Sequence, residues 1–294
     1  MLGFCVLAPM ADAVAKLIGT AVPLVLLVLT RFAIQAAMLA PIVLLAGPVP
    51  RLGRRALMLM ALRSLLHVAG VGAFFLALRF LPLADAIAIA CVMPFLLLLF
   101  GRFLLGEAVG GRRLAACVVG FAGTLMVIQP SFAEVGPPAL LPLAVALLFA
   151  LFMMVTRGLV RAIDPVALQA LGGLMSCAIL VPPLVLGAAL GWPEFGLVRP
   201  DGSLLALIGL LGLLGTLAHL FLTWSLRFAP ASTLAPMQYL EIPMATLVGF
   251  LVFGELPDGL AAAGIAVTIA AGLYIVVRER RLALARPLPS GGEM

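Results

Sequence analysis

Charged residues are scarce in this sequence, and their scarcity decides its class. Only 10% of the 294 residues are charged, 65% are hydrophobic, and the mean hydropathy is +1.28. A water-soluble domain usually carries about a quarter charged residues. With so few, a soluble fold could not cover its surface with polar groups. A soluble globular protein is therefore excluded, and lipid is the expected solvent for most of the surface.

Signatures of catalysis and of metal binding are also missing. The sequence contains no HExxH, GxSxG, Walker or GxGD pattern and no cysteine–histidine constellation, which argues against an enzyme. A polar filter or charged ring, which a channel needs, is not visible either. The four cysteines fall inside apolar runs without CxxC spacing, so we interpret them as packing residues and expect no disulfide, bound metal or cofactor. They are Cys5, Cys91, Cys117 and Cys177.

The positive charge does not indicate a nucleic-acid partner. Lys and Arg number 18 against 12 Asp and Glu, but they are spread through short loops. The first apolar run lacks a charged leader and contains Asp12 and Lys16, so we expect a first membrane helix there rather than a cleaved signal peptide. The one dense basic run is typical of a juxtamembrane segment that faces anionic lipid. It consists of Arg278, Arg280, Arg281 and Arg286.

Apolar runs separated by Pro, Gly and Arg predict ten transmembrane helices, because crossing a bilayer takes about 20 residues. Asp164 followed by Pro165 predicts a capping residue and a first-turn proline at one of the helix starts. The predicted spans are Leu2–Gly19, Val22–Ala46, Arg54–Leu78, Leu83–Leu105, Arg112–Gln129, Ala139–Thr156, Pro165–Leu190, Ser203–Leu226, Ala231–Phe253 and Gly259–Val277.

The basic residues predict the orientation in the membrane. Ten spans put both termini on one side, which carries thirteen basic residues against three on the other, while Arg31 and Arg63 within the membrane complete the 18. The positive-inside rule then places both termini in the cytoplasm. We expect a multi-pass protein of the bacterial inner membrane and a monomer.

The two halves of the sequence resemble each other at a constant offset of 148 residues. Residues 78–80 and 226–228 both read Leu-Arg-Phe, and Gly-Glu pairs close both copies at 106–107 and 254–255. Each half holds five predicted helices, an odd number, so the two copies must cross the membrane in opposite directions. Such an inverted repeat is typical of transporters that alternate access around a central site.

Both copies carry a family resemblance. The run from Leu78 to Glu107 resembles the EamA repeat of the drug/metabolite transporter superfamily, with an Arg-hydrophobic-x-Pro entry, a mid-helix proline and a closing Leu-Gly-Glu. The run from Arg227 to Glu255 repeats this pattern with a closing Gly-Glu. The resemblance covers essentially the whole chain up to Arg281.

The resemblance implies an all-α integral membrane fold in which two inverted five-helix repeats surround a central cavity. The first repeat would occupy residues 1–130 and the second residues 137–281, with residues 282–294 as a cytoplasmic tail. Within the superfamily the chain is most similar to ten-helix exporters of amino acids or metabolites, such as the aromatic amino-acid exporter (YddG) type.

The expected function is therefore secondary transport, not enzymatic catalysis. We expect export of amino acids, aromatic or otherwise neutral, by alternating access between the two halves, with the lipid bilayer and a small-molecule substrate as the partners. The repeat does not determine the substrate. Export or import of another metabolite or a cationic drug (riboflavin, a nucleoside or a sulfonium compound) stays open, as do a channel or scramblase and the source of energy.

Span nine carries the first candidate site residue. Glu241 lies near the middle of this span, where a carboxylate is costly and is a functional candidate by default. Gln238 lies one turn away on the same helical face, and the Tyr239 ring could stack on a flat substrate. Pro243, like Pro94 in the first half, predicts a helix break close by. The alternative role for Glu241 is a hydrogen bond to a neighbouring helix.

Other polar residues within the spans are further candidates. His67 and Phe74 share a stripe on span three, and His219 and Thr223 share one on span eight. They could line a cavity, or the histidines could form interhelical hydrogen bonds. Asp12 could contact substrate or protons, or it could pair with Lys16 one turn away. Structural roles are expected for Arg31, as partner of a carboxylate or helix-end carbonyl, and for Glu107 and Glu255, as caps of the helices that follow them.

Overall fold

The computed structural model describes residues 1–46, 52–105, 111–229 and 234–284, and within these ranges the secondary structure is helical without a strand. The α-helices are α1 Leu2–Ile18, α2 Leu24–Ala46, α3 Arg54–Ala77, α4 Leu83–Ala90, α5 Met93–Leu105, α6 Gly111–Val135, α7 Leu141–Leu159, α8 Pro165–Ala189, α9 Gly202–Phe228, α10 Glu241–Phe253 and α11 Gly259–Leu284. Short 3-10 helices cover Pro137–Leu140, Pro193–Phe195 and Ala235–Leu240. Glu107, Pro230 and the tail beyond residue 284 lie outside the described residues.

Seven helical stretches in the described ranges are long and apolar enough to cross a membrane. Two shorter apolar stretches, Met237–Phe253 and Gly259–Tyr274, accompany them. The membrane class predicted from composition is thereby confirmed, whereas the count of ten goes beyond what length and hydropathy establish. The stretch Leu83–Phe100 is the most enclosed of the seven, with 78% of its residues buried. It therefore lies at the centre of the molecule.

Two predicted spans are interrupted rather than continuous. The fourth consists of α4 and α5, with a turn at Cys91–Val92, and the ninth begins as the 3-10 helix Ala235–Leu240 before α10. Pro94 and Pro243 stand in the first turns of α5 and α10, where the missing proline N–H would have no intrahelical partner. Each proline thus lies in the first turn of the helix that follows the irregular segment.

Polar residues cap several helix ends as local chemistry predicts. Asp164 caps α8 by accepting a hydrogen bond from the Val166 backbone N–H at 2.9 Å, ahead of Pro165, which confirms the cap predicted from the sequence. Asp201 caps α9 in the same way, accepting from the Leu204 N–H at 2.8 Å. This hydrogen bond to the ionised carboxylate holds the pKa of Asp201 below its usual value.

The strongest helix contacts join the first half of the chain to the second. Helix α1 packs against α9, α2 against α8, α3 against α7, and α6 against α11, while α4 contacts α10 near the centre. The core consequently lies between the halves rather than within either one.

Glycines bring α6 and α11 into close contact. A Cβ atom on Gly264 would lie 2.5 Å from the Gly123 carbonyl oxygen, and one on Gly123 would lie 2.6 Å from Thr268 Oγ1. Thr268 Oγ1 in turn donates a hydrogen bond at 2.9 Å to the Gly264 carbonyl within its own helix. Small residues of this kind let helix backbones approach in lipid, where van der Waals contact replaces the hydrophobic effect as the driving force.

Candidate functional site

A cavity lies between the two halves and is bounded by residues of both. The cavity has a volume of about 90 Å³, enough for several waters but below the usual size of a pocket that encloses a metabolite. The lining is mostly apolar, with aromatic rings from Phe4, Phe74, Phe75 and Phe149 and polar groups from Asp12, Arg31, His219, Gln238 and Glu241.

Two carboxylates face this cavity from different halves. Asp12 lies on α1, and Glu241 begins α10 immediately after the 3-10 helix; both side chains are half-buried. Within the described ranges neither carboxylate takes part in an ion pair or a side-chain hydrogen bond. The cavity can thus offer negative charge or hydrogen-bond acceptors to a molecule that enters.

Arg31 occupies the polar end of the cavity wall and is 2% exposed. Its Nη2 lies 3.0 Å from His219 Nδ1 and 3.4 Å from the Gly215 carbonyl oxygen, and Nη1 donates to Gln35 Oε1 at 3.3 Å. The guanidinium also lies 4.5 Å above the Phe32 ring. The predicted contact with a backbone carbonyl is present, but the carbonyl belongs to the middle of α9 rather than to a helix end.

The two histidines are adjacent. The ring centroids of His67 and His219 lie 4.5 Å apart with the ring planes tilted by 39°. The Phe152 ring lies at the same centroid distance from His67, with a tilt of 36°. His219 borders the cavity, while His67 is buried behind it. Of the other predicted site residues, Asp12, Phe74, Gln238 and Glu241 line the cavity, whereas Tyr239 and Thr223 are buried in the surrounding helix packing.

A second polar cluster, which the sequence reasoning missed, surrounds Arg63. Arg63 is fully buried and donates to Gln169 Oε1 at 2.9 Å and to Thr156 Oγ1 at 3.0 Å, with its guanidinium 4.7 Å from the Phe152 ring. Gln169 also donates to Thr223 Oγ1 at 3.0 Å and accepts, through its backbone oxygen, from Gln35 at 2.8 Å. In the described part of the chain no carboxylate pairs with this guanidinium.

This cluster, comprising Gln35, Arg63, Thr156, Gln169 and Thr223, ties together α2, α3, α7, α8 and α9. One hydroxyl and one amide oxygen, both neutral, accept hydrogen bonds from Nε and Nη2 of the buried Arg63 cation, whereas Nη1 has no partner in the described ranges. The sequence signal from which this cluster could have been predicted is the single glutamines inside apolar helices, because buried polar residues in membranes need partners.

A salt bridge joins the two halves where α1 and α10 end, away from the Arg63 cluster. Lys16 Nζ lies 2.6 Å from Glu255 Oε1 and donates to the Leu81 carbonyl at 2.9 Å. Glu255 Oε2 accepts from the backbone N–H of Leu83 at 3.2 Å. The sequence-based pairing of Lys16 with Asp12 is therefore wrong, because Lys16 stands at the end of α1, within reach of the other half.

The role expected for Glu255 also needs correction. Glu255 caps α4, a helix of the first half, whereas the following helix α11 is capped by Asp258, which accepts from the Ala261 N–H at 2.7 Å. Asp258 lies directly before α11 in sequence, so it reaches the free N–H groups there more easily than Glu255 does. The corresponding expectation for Glu107 lies outside the described residues.

Comparisons with known proteins agree with this architecture. The family model described as "EamA-like transporter family" matches residues 1–129 and 137–278. A riboflavin transporter of Rhizobium johnstonii is 35% identical over 74% of this chain and 70% of its own length. An S-adenosylmethionine uptake transporter of Rickettsia felis is 25% identical over 92% of this chain and 88% of its own length. A protein of known crystal structure, 22% identical, has the same fold: it superposes with a TM-score of 0.69 over 95% of this chain and 96% of that one.

Proposed function

The chain belongs to the EamA-like transporter family, and from this premise we propose that it carries flat heteroaromatic metabolites across the bacterial inner membrane. That the protein is a multi-pass transporter of small metabolites and not an enzyme follows from the family and from the relatives named as transporters. The substrate class, the direction and the alternating mechanism are the proposed part.

The cavity is the observation that carries the proposed substrate class. Rings from Phe4, Phe74, Phe75 and Phe149 line it together with a few polar groups. Aromatic walls favour flat π-systems, which stack offset or edge-to-face on phenyl rings. The relatives add support, because riboflavin and S-adenosylmethionine, for which they are named, both contain a flat nitrogen heterocycle.

This proposal replaces the amino-acid exporter expected from the sequence. The relatives do not support amino-acid export, whereas riboflavin and sulfonium compounds were among the alternatives left open. One relative is named for uptake, and we propose the inward direction for this chain as well. Asp12 and Glu241 would then bind the hydroxyl or cationic groups that such substrates carry beside the ring.

Alternating access between two inverted repeats is the proposed mechanism. Its support is the pattern of helix packing, which is unchanged when the halves are exchanged: α3–α7 becomes α9–α1, while α2–α8 and α6–α11 become themselves. A pseudo-two-fold axis in the membrane plane that relates two sets of five spans produces such a pattern.

The proposed cycle uses two closures, which are sets of contacts that join the halves and would block the path between the cavity and one membrane face. The Lys16–Glu255 bridge lies where α1 and α10 end, and the Arg63 cluster lies where α7 ends and α8 begins. Successive helices run in opposite directions, so these closures would lie toward opposite membrane faces, with the Arg63 cluster on the side of the termini. A substrate reaching the cavity from either face would have to separate one of them.

Both termini are proposed to face the cytoplasm, supported by the arginines on that side of the predicted spans. The experiment starts from a variant of this protein in which the four cysteines are replaced. In intact cells, a single cysteine introduced in place of Ser290 should resist a membrane-impermeant thiol reagent. A cysteine replacing Gly136, in the turn before α7, should react, since that turn would be periplasmic. Labelling with the reverse pattern contradicts the orientation.

Uptake by purified protein in liposomes tests the function. We expect accumulation of radiolabelled riboflavin or S-adenosylmethionine above that in empty liposomes, and no comparable uptake of a neutral amino-acid panel. Charge-reversed variants supply matched controls: Lys16→Glu and Glu255→Lys should each slow transport, because like charges would meet at the closure. The double variant should recover part of the rate, because the ion pair is restored with reversed polarity while the bonds to the Leu81 carbonyl and the Leu83 N–H are lost. Uptake of amino acids alone refutes the proposed substrate class.

A further inference from the structure

Two residues that border the cavity each hold a buried polar atom without a hydrogen-bond partner within the described ranges. The atoms are Nε2 of His219, a residue 7% exposed, and Oε1 of Gln238, a residue 3% exposed. A buried polar atom left without a partner costs free energy, and the great majority in folded proteins are satisfied. Groups of this kind beside a cavity indicate a ligand that supplies what the protein lacks.

Arg31 determines what His219 can offer. Arg31 Nη2 lies 3.0 Å from His219 Nδ1, and a guanidinium can only donate hydrogen bonds. Nδ1 must therefore accept, although it also lies 3.0 Å from the Gly215 carbonyl oxygen. A hydrogen on Nδ1 would satisfy that carbonyl, but it would leave two donors, Nδ1–H and Arg31 Nη2, 3.0 Å apart with no acceptor between them. With an accepting Nδ1 the carbonyl keeps Arg31 Nη2 as its donor, at 3.4 Å. The ring proton consequently lies on Nε2, which makes Nε2 a donor.

The hydrogen-bond partner of Gln238 determines in the same way which side-chain atom, the amide nitrogen or the oxygen, is left without a hydrogen bond. Gln238 Nε2 lies 3.9 Å from the thioether sulfur of Met153. Thioether sulfur can only accept hydrogen bonds, so the amide nitrogen belongs on this side. The carbonyl oxygen Oε1 is then left as an acceptor. The cavity wall thus presents one N–H donor from α9 and one C=O acceptor from the 3-10 helix before α10.

We infer that His219 and Gln238 recognise the polar edge of the substrate ring, with Arg31 as the residue that positions the His219 proton. The matching ligand is a flat heterocycle that carries a hydrogen-bond acceptor (a ring carbonyl or ring nitrogen) beside an N–H donor. The acceptor binds His219 Nε2–H and the donor binds Gln238 Oε1, while the phenylalanine rings hold the faces. This inference rests on the proposed function and specifies which heterocycles its site selects.

Methylated ring analogues test the recognition directly. The probes are riboflavin with N3-methylriboflavin and adenosine with N6,N6-dimethyladenosine, since each second member lacks the N–H donor of the first. Binding to wild-type protein in nanodiscs should be about tenfold weaker for the methylated member of a pair, because a site that hydrogen-bonds a substrate N–H rejects the analogue without it. In Gln238→Met the ratio should fall towards one.

Variants of His219 separate the contribution of its N–H donor to binding from the contribution of its ring. His219→Phe keeps a flat ring without the N–H and should weaken binding of the unmethylated probes about tenfold. His219→Gln retains an N–H donor and should recover part of that loss. Monodisperse elution of each variant in detergent establishes that it is folded.

The positioning role of Arg31 has its own spectroscopic readout. The chain has two histidines, so their ring ¹⁵N resonances can be assigned with a His67→Phe variant. Wild-type His219 should show the proton on Nε2. In Arg31→Met the proton should move to Nδ1 and bond the Gly215 carbonyl, and a purely structural arginine would not change the tautomer.

The possible failures are distinguishable. Equal binding of both members of each pair, or unchanged binding in His219→Phe and Gln238→Met, overturns the recognition by these two residues and leaves the transport proposal standing. A His219 proton on Nδ1 in the wild type overturns the role of Arg31. If the wild-type protein binds none of the four probes, the heteroaromatic substrate class fails, and this inference fails with it.

Discussion

Replacing Gly264 with leucine is expected to remove most of the folded protein from the membrane. The first added carbon would lie 2.5 Å from the Gly123 carbonyl oxygen and 2.9 Å from Met126 Cβ, and three further carbons would follow it. The clash involves backbone, so α6 and α11 would have to separate. Overpacking a tight contact costs about 1–3 kcal/mol or more, a large share of a total stability of about 5–15 kcal/mol.

Gly259→Leu is the matched control for this packing prediction. Gly259 begins the same helix α11, and nothing lies within 4 Å of the Cβ that it would gain. Membrane abundance and the melting temperature of purified protein should stay near wild-type values in Gly259→Leu and fall sharply in Gly264→Leu. Equal stability of the two variants would show that α6 and α11 are not in close contact at this point.

Replacing Glu241 with glutamine should reduce transport about tenfold or more at unchanged membrane abundance. The carboxylate is half-buried at the start of α10 and receives no side-chain hydrogen bond in the described part of the chain, so it contributes little to helix packing. A charged group kept in this position is costly unless a substrate or proton uses it. Losing one charge-assisted hydrogen bond to a substrate costs about 1.5–3 kcal/mol, which corresponds to roughly a tenfold to hundredfold loss.

The same substitution at Glu194 provides the comparison for Glu241→Gln. Glu194 lies in the 3-10 helix Pro193–Phe195 and is not among the residues that line the cavity, and its side chain is 67% exposed beside Arg79. Surface ion pairs of this kind contribute little, so Glu194→Gln should transport normally. Initial uptake rates in liposomes, normalised to reconstituted protein, measure both. Normal uptake by Glu241→Gln would reduce its carboxylate to a structural group.

Several features could be predicted because they depend on local chemistry. The membrane class follows from the 10% charged residues, since no soluble fold could cover its surface with so few. The cap at Asp164 and the start of α8 at Pro165 follow from the side chain and the fixed φ angle of neighbouring residues. The choice of Glu241 as a candidate site residue follows from the cost of a carboxylate at membrane depth, whatever its neighbours.

The pairing of side chains on different helices could not be predicted, because it depends on how each helix is rotated and placed against helices distant in sequence. Lys16 has Asp12 one turn away but pairs with Glu255, 239 residues along the chain. Arg63 finds Gln169 across the helix interface, and the donor at His219 Nε2 exists because Arg31 approaches the other ring nitrogen. The sequence by itself therefore determined that the chain belongs in a membrane, that most of it is helical and which polar groups are costly there. Only the tertiary structure decided which of these groups satisfy one another and which are left for a ligand, because hydrogen bonds and ion pairs require contact within about 3–4 Å, which helix packing alone creates.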